Sequence, residues 1–280
     1  MENELLRSHA GHVTRLTLNR PAKANALSAS LVEALINAVE YAQTDGTRLL
    51  IFEGNGSHFC AGFDFSGYDE ATEGELVLRF VRIEHLLQCV HHAPFATLAL
   101  AHGKIFGAGA DLVCACSTRV AAPGTTFRMP GLRFGLVLGT RRLAHRIGAE
   151  AARDILQTSR TFDAESAQKL GFITRIAAQS EWPALIEAAR ETSAALTQPA
   201  RARLHEQTVV DTRDADMAAL AQSASVPGLK ERIRIFREAK TWWHKPCPNK
   251  CKLSKRAPPA APTSCALPTA RCPSSQRARF

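Results

Sequence analysis

Two short stretches that contain glycine carry the residue types that could do chemistry. The sequences HFCAGFDF at 58–65 and HGKIFGAGADL at 102–112 each lie at the end of an apolar run typical of a buried strand. Small residues allow the backbone to approach a ligand closely, and the second stretch leads into a helix whose first N–H groups have no partner within the helix. We therefore predict that the N–H of Phe63 and an N–H at that helix start bind one carbonyl oxygen. Such an oxyanion hole suits the enolate of a thioester.

Alternating strands and helices are predicted to position these stretches. Residues 12–20 alternate between apolar and polar side chains, and residues 49–54 form a continuous apolar strand typical of a sheet covered on both faces. Between them, residues 28–46 predict a helix that begins at Ser28. Its apolar face would carry Leu31, Val32, Leu35, Ile36 and Val39. Strand, helix and strand at this spacing indicate a βαβ unit.

The pattern continues along the chain and predicts an α/β fold. Further helices are expected at 72–92, 107–118, 139–147, 149–158 and 163–170, and strands at 95–103, 119–130 and 172–177. Residues 182–242 are expected to be helical, with breaks at 198–199 and 226–228. We therefore predict a core of residues 1–180, a helical section of residues 181–243 and a tail of residues 244–280.

The tail differs in composition from the rest of the chain. Seven of the 14 prolines lie beyond residue 244, and residues 240–280 hold nine of the 35 basic residues and none of the 26 acids. The rest of the chain therefore carries no net charge that favours nucleic acid, although a nucleic-acid contact through the basic tail remains an alternative. A segment of this composition cannot bury enough apolar surface to offset its conformational entropy, so we expect it to be disordered.

The eight cysteines divide between body and tail. Those in the body are Cys60, Cys89, Cys114 and Cys116. They lie among apolar residues and are expected to be small buried side chains rather than disulfides or metal ligands. A tail set that could hold zinc is His244, Cys247, Cys251 and Cys265. Its irregular spacing matches no zinc template, so a tail without metal is the preferred interpretation.

Four motifs in order resemble the enoyl-CoA hydratase/isomerase, or crotonase, superfamily, over about residues 5–240. LNRPAKANALS resembles the family's first turn, where the nucleotide of an acyl-CoA lies, and HFCAGFDF resembles its first oxyanion loop. HGKIFGAGADLVCACSTRVAA resembles the second loop and the following helix, and GTRRLAHRIGAEAARDILQTSRTFDAESAQKLGFITRI resembles the closing section. The resemblance implies a crotonase-like spiral of repeated ββα units, followed by C-terminal helices that assemble trimers, often paired into hexamers.

The resemblance also implies roles for individual residues. Phe63 and Ala108 resemble the two oxyanion donors, and Asp111 matches the family's first catalytic acid, which is usually Glu. Lys23 resembles a contact for a CoA phosphate. The other residues expected to contact the substrate or its CoA moiety are Ala24, Ala26, Leu27, Ala61, Asp64 and Phe65. No metal ligand and no separate cofactor are expected at this site, because CoA is part of the substrate.

Two departures from the family pattern bear on the chemistry. The family's second catalytic acid follows a proline, whereas Gly131 follows Pro130 here. The loop 135–143 is also about three residues shorter than is usual in the family. Two alternatives remain open: Asp111 could be only an acid favoured by the dipole in the first turn of a helix, and Asp64 could simply cap its loop.

These observations predict an enzyme that acts on an acyl-CoA thioester through an enolate, as an isomerase or a lyase, with ordinary hydratase activity in doubt. The alternative is a non-catalytic acyl-CoA-binding relative. The expected partners are an acyl-CoA and further copies of the chain in a homotrimer or homohexamer. The apolar stripes expected to form that contact are Leu185, Ile186 and Ala189, and Ile233, Phe236 and Ala239. The sequence shows no signal peptide and no membrane span, so the cytoplasm is the expected location.

Overall fold

The structure, a computed structural model, describes residues 3–243, with side chains described as far as residue 239. Within this part of the chain there are nine strands. They are β1 (Leu5–Ala10), β2 (Val13–Leu18), β3 (Leu49–Gly54), β4 (Ala96–Ala101), β5 (Lys104–Phe106), β6 (Thr118–Ala121), β7 (Thr126–Arg128), β8 (Phe162–Asp163) and β9 (Arg175–Ile176).

The strands form two sheets. The larger has six strands in the order β1-β2-β3-β4-β6-β9, parallel except for the antiparallel pair of β1 with β2. The smaller has three strands in the order β5-β7-β8. Strands β2 and β3 pair in parallel with Val13 opposite Leu49, which confirms the predicted βαβ unit.

Ten α-helices connect and cover these sheets in the described residues. They are α1 (Ala29–Ala42), α2 (Glu73–His91), α3 (Ala108–Ala115), α4 (Thr140–Ile147), α5 (Ala149–Thr158), α6 (Ala164–Lys169), α7 (Trp182–Ala194), α8 (Gln198–Thr208), α9 (Arg213–Ala224) and α10 (Leu229–Trp243). Helix α1 begins where the sequence predicts, because the Ser28 hydroxyl accepts the N–H of Leu31 at 3.1 Å.

The continuous apolar character of the central strands follows from burial on both faces. On one face of the large sheet, Leu50 and Phe52 pack under helices α1 to α3 in the main core. On the other face, Leu49 and Ile51 form a smaller cluster with Trp182 of α7. Alternate residues of β3 therefore face different helices, which explains why this strand lacks the alternation of a half-exposed strand.

The sequence prediction differs from the structure mainly at short strands. Strands β1, β5 and β8 were not predicted, and the expected single strand at 119–130 is divided between β6 in the large sheet and β7 in the small one. The turn after residue 121 redirects the chain between sheets, which a pattern of apolar residues alone does not reveal. The helical section has an additional break at residues 209–212.

The apolar stripes that were expected to form a trimer contact are largely covered within the chain. Ile233 and Phe236 of α10 lie in the main core, 0% and 8% exposed, and Leu185 and Ile186 of α7 pack against the smaller cluster. Because they are covered within the chain, these residues do not support a contact between subunits, and the trimer or hexamer stays a prediction. Helix α8 instead has no buried residue among those described, and Leu204 on it is 53% exposed.

The predicted tail, 244–280, and its possible zinc ligands lie outside the described residues. Among residues 3–243, no helix is both long enough and apolar enough to cross a membrane.

Candidate active site

A tight turn after β2 anchors the site. Asn25 adopts a left-handed backbone conformation with φ of 54° and is fully buried. Its side-chain oxygen accepts the N–H of Arg20, and its side-chain nitrogen donates to the carbonyls of Asn55 and His58, each at 2.8 Å. One side chain thus joins the turn to the start of the first glycine-containing loop, which fixes the position of that loop.

The loop 58–65 is held against this turn so that one N–H stays free. The N–H of Leu27 donates to the carbonyl of Gly62 at 2.7 Å, and the N–H of Asp64 donates to the carbonyl of Leu27 at 3.2 Å. In this parallel bridge Phe63 lies between the two bonded residues, so its own N–H points to the opposite side. No described backbone acceptor takes the N–H of Phe63.

The second loop lies directly beside the first. A Cβ on Gly62, whose φ is +85°, would lie 3.2 Å from the nitrogen of Ala108, and a Cβ on Gly109 would collide with the carbonyl oxygen of Cys60. Only glycine permits this approach at both positions. Ala108 is the first residue of α3, and its N–H has no acceptor among the described backbone atoms. The two predicted oxyanion donors therefore lie on adjacent loops, and both residues line the same pocket.

An apolar pocket opens in front of these two amides and has about 660 Å³ of empty space, including its mouth. Among the predicted site residues, those that line it are Ala61, Phe63, Phe65, Ala108 and Asp111. An aromatic cluster forms much of the wall. The Phe63 and Phe80 rings stack with centroids 4.3 Å apart, and Phe134 and Phe236 approach to 4.9 Å. Such a wall suits an apolar acyl chain.

Asp111 lies in the first turn of α3 and is 4% exposed. Burial raises the pKa of Asp111 well above its ordinary value, while the charge of Arg142 opposes this change. Its Oδ1 forms no hydrogen bond with any described atom. This oxygen lies against Gly139, because a Cβ there would collide with it. A buried carboxyl with a raised pKa at a pocket wall has the properties of a proton-transfer group.

A buried charge network lies behind Asp111. Arg142 of α4 pairs with Glu84 of α2 at 2.5 Å and with Asp216 of α9 at 3.2 Å, and all three side chains are almost fully buried. The Thr212 hydroxyl donates to Asp216 at 2.7 Å. Asp111 forms no ion pair with Arg142 in the described structure, and its side chain lines the pocket instead.

Asp64 has a supporting position rather than a place in the pocket wall. Its Oδ1 accepts the N–H of Ser66 at 2.9 Å, and its Oδ2 pairs with Arg20 at 2.8 Å. Burial opposes its charge, but the hydrogen bonds from Ser66 and the pairing with Arg20 hold the pKa of Asp64 below its usual value. These contacts are those of an acid that caps its own loop, which was the alternative interpretation of Asp64.

The predicted CoA contacts of the first turn divide into two kinds. Lys23 is exposed and Ala24 is half-buried, so both are available to a ligand. The side chains of Ala26 and Leu27 are buried, and the backbone of Leu27 is bonded to the oxyanion loop. These two residues support the loop from behind, and direct contact of this turn with CoA remains a prediction.

The pocket wall contains a single ionisable side chain, Asp111, among the residues whose side chains are described. Gly131 lies in the wall where the family pattern places a second acid. The neighbouring arginines turn away: Arg128 donates to the carbonyl of Ser159 at 2.9 Å, and Arg133 donates to that of Thr158 at 2.7 Å. Within the described residues, no second titratable group therefore faces the place where a proton would be moved.

Several residues of the site were not predicted from the sequence. For Asn25, which organises the first turn, the residue type itself was a usable signal, because Asn adopts the left-handed conformation more readily than most residues. Gly139, just before α4, lies against Asp111, and Thr140, the first residue of α4, lines the pocket. Phe80, Phe134 and Phe236 come from α2, the segment before α4 and α10, and no local pattern links these distant segments.

Comparisons with known proteins identify similar chains. The sequence profile of the family described as Enoyl-CoA hydratase/isomerase matches residues 8–242. A Mycobacterium leprae protein named as an enoyl-CoA hydratase is 32% identical over 62% of this chain and 71% of its own length. A Mycosarcoma maydis protein named as an enoyl-CoA isomerase/hydratase is 31% identical over 59% of this chain and 65% of its own. A crystal structure from Bordetella parapertussis, named as an enoyl-CoA hydratase/isomerase, is 52% identical with a TM-score of 0.83, covering 84% of this chain and 98% of that one.

Proposed function

The chain belongs to the enoyl-CoA hydratase/isomerase family, and from this premise we propose that it moves a double bond in an acyl-CoA thioester through an enolate, with Asp111 as its one acid–base group. The observation that carries the proposal is the pairing of two free amides with a single buried carboxyl in one apolar pocket. Both the hydratases and the isomerase/hydratase among the relatives are named for reactions of enoyl-CoA.

The two amides would stabilise the charge that develops on the thioester oxygen. When a base removes a proton from the carbon next to the thioester carbonyl, the electron pair delocalises onto the carbonyl oxygen and forms an enolate. This role is supported by the N–H groups of Phe63 and Ala108, which lie on adjacent loops and have no competing acceptor among the described backbone atoms. Fixed donors of this kind need no reorganisation as the charge forms.

Asp111 would then transfer one proton between two carbons. As the carboxylate it takes a proton from one carbon of the acyl chain, and as the neutral acid it returns that proton to a second carbon two positions along. The double bond shifts and no atom is gained or lost. Burial raises the pKa of Asp111, which makes its carboxylate a stronger base and so better suited to take a proton from carbon.

The absence of a second acid at Gly131 favours isomerisation over hydration. Adding water to a double bond is assisted by one group that removes a proton from water and another that protonates carbon. Only Asp111 is ionisable among the described residues of the pocket wall. A double-bond shift needs one such group, so the chain is suited to it.

A backbone substitution tests the oxyanion hole directly. Ala108 is the first residue of α3, where proline is well tolerated, so Ala108→Pro removes one N–H with little damage to the helix. We expect turnover of a 3-enoyl-CoA to fall about 10²- to 10³-fold in this variant. Ala108→Gly is the matched control, because it keeps the N–H. Full activity of the proline variant would contradict the assignment.

The alternative function, acyl-CoA binding without catalysis, is distinguished by measuring both binding and turnover on the unmodified chain. Under that alternative the unmodified chain binds a non-reactive CoA thioester analogue, as measured by calorimetry, but converts neither 2-enoyl nor 3-enoyl substrates. Binding together with a double-bond shift supports the proposal. Binding without any turnover across a panel of chain lengths would support the alternative.

A further inference from the structure

Three side chains of a kind that binds metal ions meet on the outer surface of helices α1 and α2, away from the pocket. They are Glu40 of α1 and His85 and Cys89 of α2, and their ligand atoms all lie within 4.8 Å of one another. His85 and Cys89 are four residues apart, so both project from the same side of α2 toward α1. Neither residue contributes to the pocket wall.

The distances within this cluster match those of a zinc site. The His85 Nε2 lies 3.6 Å from Glu40 Oε1 and 3.7 Å from Cys89 Sγ. A tetrahedral zinc ion with bonds of about 2.0–2.1 Å to nitrogen and oxygen and about 2.3 Å to sulfur has ligand–ligand edges of about 3.4–3.6 Å. Two of the three separations therefore nearly match, and the third, between the ligand atoms of Glu40 and Cys89, is within 4.8 Å, so rotamer adjustments would bring all three atoms to one ion.

The cluster is also accessible, and the nearest cation, Arg82, hydrogen-bonds a different carboxylate, although its charge still acts on Glu40 and Cys89. The side chains of His85 and Glu40 are 38% and 53% exposed, which allows a metal ion to enter and leaves room for water as a fourth ligand. Arg82, one turn before His85, could otherwise occupy Glu40. Its guanidinium instead donates to Glu33 at 2.6 Å. The expectation that the body cysteines are buried apolar side chains thus holds for Cys60, Cys114 and Cys116, whereas Cys89 packs against the main core but is only half-buried and lies beside a histidine.

We propose that Glu40, His85 and Cys89 form a binding site for a zinc ion or a similar soft divalent cation, with water completing the coordination. Carboxylate, imidazole and thiolate are the three ligand types that proteins offer to zinc. Binding would link α1 to α2 and stabilise the folded state, because the cluster forms only when the helices are packed. The inference does not depend on the reaction proposed for the pocket.

Cobalt provides a direct test, because a cobalt–thiolate bond has a charge-transfer band. The full-length chain is used with Cys247, Cys251, Cys265 and Cys272 changed to Ser, so that the tail cannot supply thiolates. We expect Co²⁺ to bind with one-to-one stoichiometry, to show this band, and to be displaced by Zn²⁺. The melting temperature should rise with added Zn²⁺.

Substitutions within the cluster decide whether it holds the ion. Cys89→Ser should abolish the charge-transfer band, and Glu40→Gln should weaken Co²⁺ binding about tenfold or more. His12→Gln, an exposed histidine that bonds the carbonyl of Gly46, is the matched control and should leave binding unchanged. Absence of the band in the tail-serine protein, or its persistence in Cys89→Ser, would overturn the proposal. If Cys89→Ser does not fold, unchanged affinity in Glu40→Gln would overturn it equally, because that side chain is exposed and its replacement leaves the fold intact.

Discussion

Asp111 combines the properties of a useful base with those of a destabilising residue. Its carboxyl is buried, its Oδ1 has no hydrogen-bond partner among the described atoms, and burial raises its pKa. Such a group favours its neutral form in the folded state. Ionising it therefore costs more free energy in the folded chain than in the unfolded chain, which lowers stability. A role in proton transfer would explain why a carboxyl with this cost lies in the pocket wall.

We expect Asp111→Asn to abolish the double-bond shift while CoA-thioester binding is retained, because Asn keeps the shape of the side chain but cannot take a proton. Activity of the unmodified protein should rise with pH as Asp111 ionises. The measurements are turnover by absorbance and binding by calorimetry. Residual activity comparable with that of the unmodified chain would identify a different base.

The same substitution has an expected effect on stability. Because the folded-state pKa is raised, stability associated with the neutral carboxyl is fully present below the unfolded pKa of about 4 and is lost as pH rises through the folded value. A tenfold difference in acid dissociation constant between the folded and unfolded chains corresponds to about 1.4 kcal/mol. Asp111→Asn should therefore melt at a higher temperature than the unmodified chain at pH ~8, with the difference vanishing near pH ~4.

Gly131→Glu should introduce hydration activity. Gly131 lines the pocket, and a Cβ there would lie 3.3 Å from the carbonyl oxygen of Leu136, a tight contact that a small shift of that carbonyl would relieve. A carboxyl at this place would supply the second acid–base group that water addition uses. Hydration of a short 2-enoyl-CoA should rise above that of the starting protein, and Gly131→Gln should not show the gain.

The loop before α4 brings distant parts of the chain to Asp111. Gly139 has φ of +63° and precedes the helix, and a Cβ at this position would collide with Asp111. Gly148, at the start of α5, has φ of +84° but open space around it. Substitution strains the backbone at both positions, and more so at Gly148, whose ψ of 151° at positive φ is nearly restricted to glycine, but only Gly139 touches the candidate base.

This pair separates backbone strain from the effect on catalysis. Both Gly139→Ala and Gly148→Ala should lower the free energy of unfolding by about 1–3 kcal/mol, because alanine is strained at positive φ. Only Gly139→Ala should also reduce turnover strongly, since its Cβ displaces the Asp111 carboxyl. Denaturant unfolding and steady-state kinetics on both variants measure this. Equal loss of activity in the two would contradict a specific contact.

The elements near the site show what the sequence could and could not reveal. Strand β3 and helix α1 were predicted closely, because apolar continuity and an N-cap serine are local signals. The meeting of the oxyanion loops was also predicted, since parallel strands bring their ends to one edge. The contact of Gly139 with Asp111 and of Phe236 with the pocket joins residues far apart in the chain, and no periodicity encodes such contacts.

The oligomeric state of the protein can be measured directly. The resemblance to the family predicts a trimer or hexamer, but the stripes first expected to form it are largely covered within the chain. Helix α8 has no buried residue in the described structure, and an isolated helix of 11 residues is marginal in water. We therefore expect light scattering to give a trimer or hexamer, and Leu204→Asp to lower the mass. A monomeric unmodified chain would refute this prediction.

The boundary between α10 and the tail predicts where the chain can be shortened. Helix α10 places Leu229, Ile233 and Phe236 in the core, and Phe236 also lines the pocket. Burial of each side chain contributes about 1.5–3 kcal/mol. A chain that ends at Pro227 should therefore lose most of its stability and its activity.

A chain that ends at Lys245 keeps every residue of α10 and loses only the segment rich in proline and basic residues. It should melt at the same temperature as the full-length protein and keep its turnover, because the removed composition offers no apolar surface for a core. Calorimetry on the two truncated proteins and the full chain makes the comparison. A large loss of stability at Lys245, or zinc in the full-length protein that disappears on this truncation, would show that the tail has a structural role.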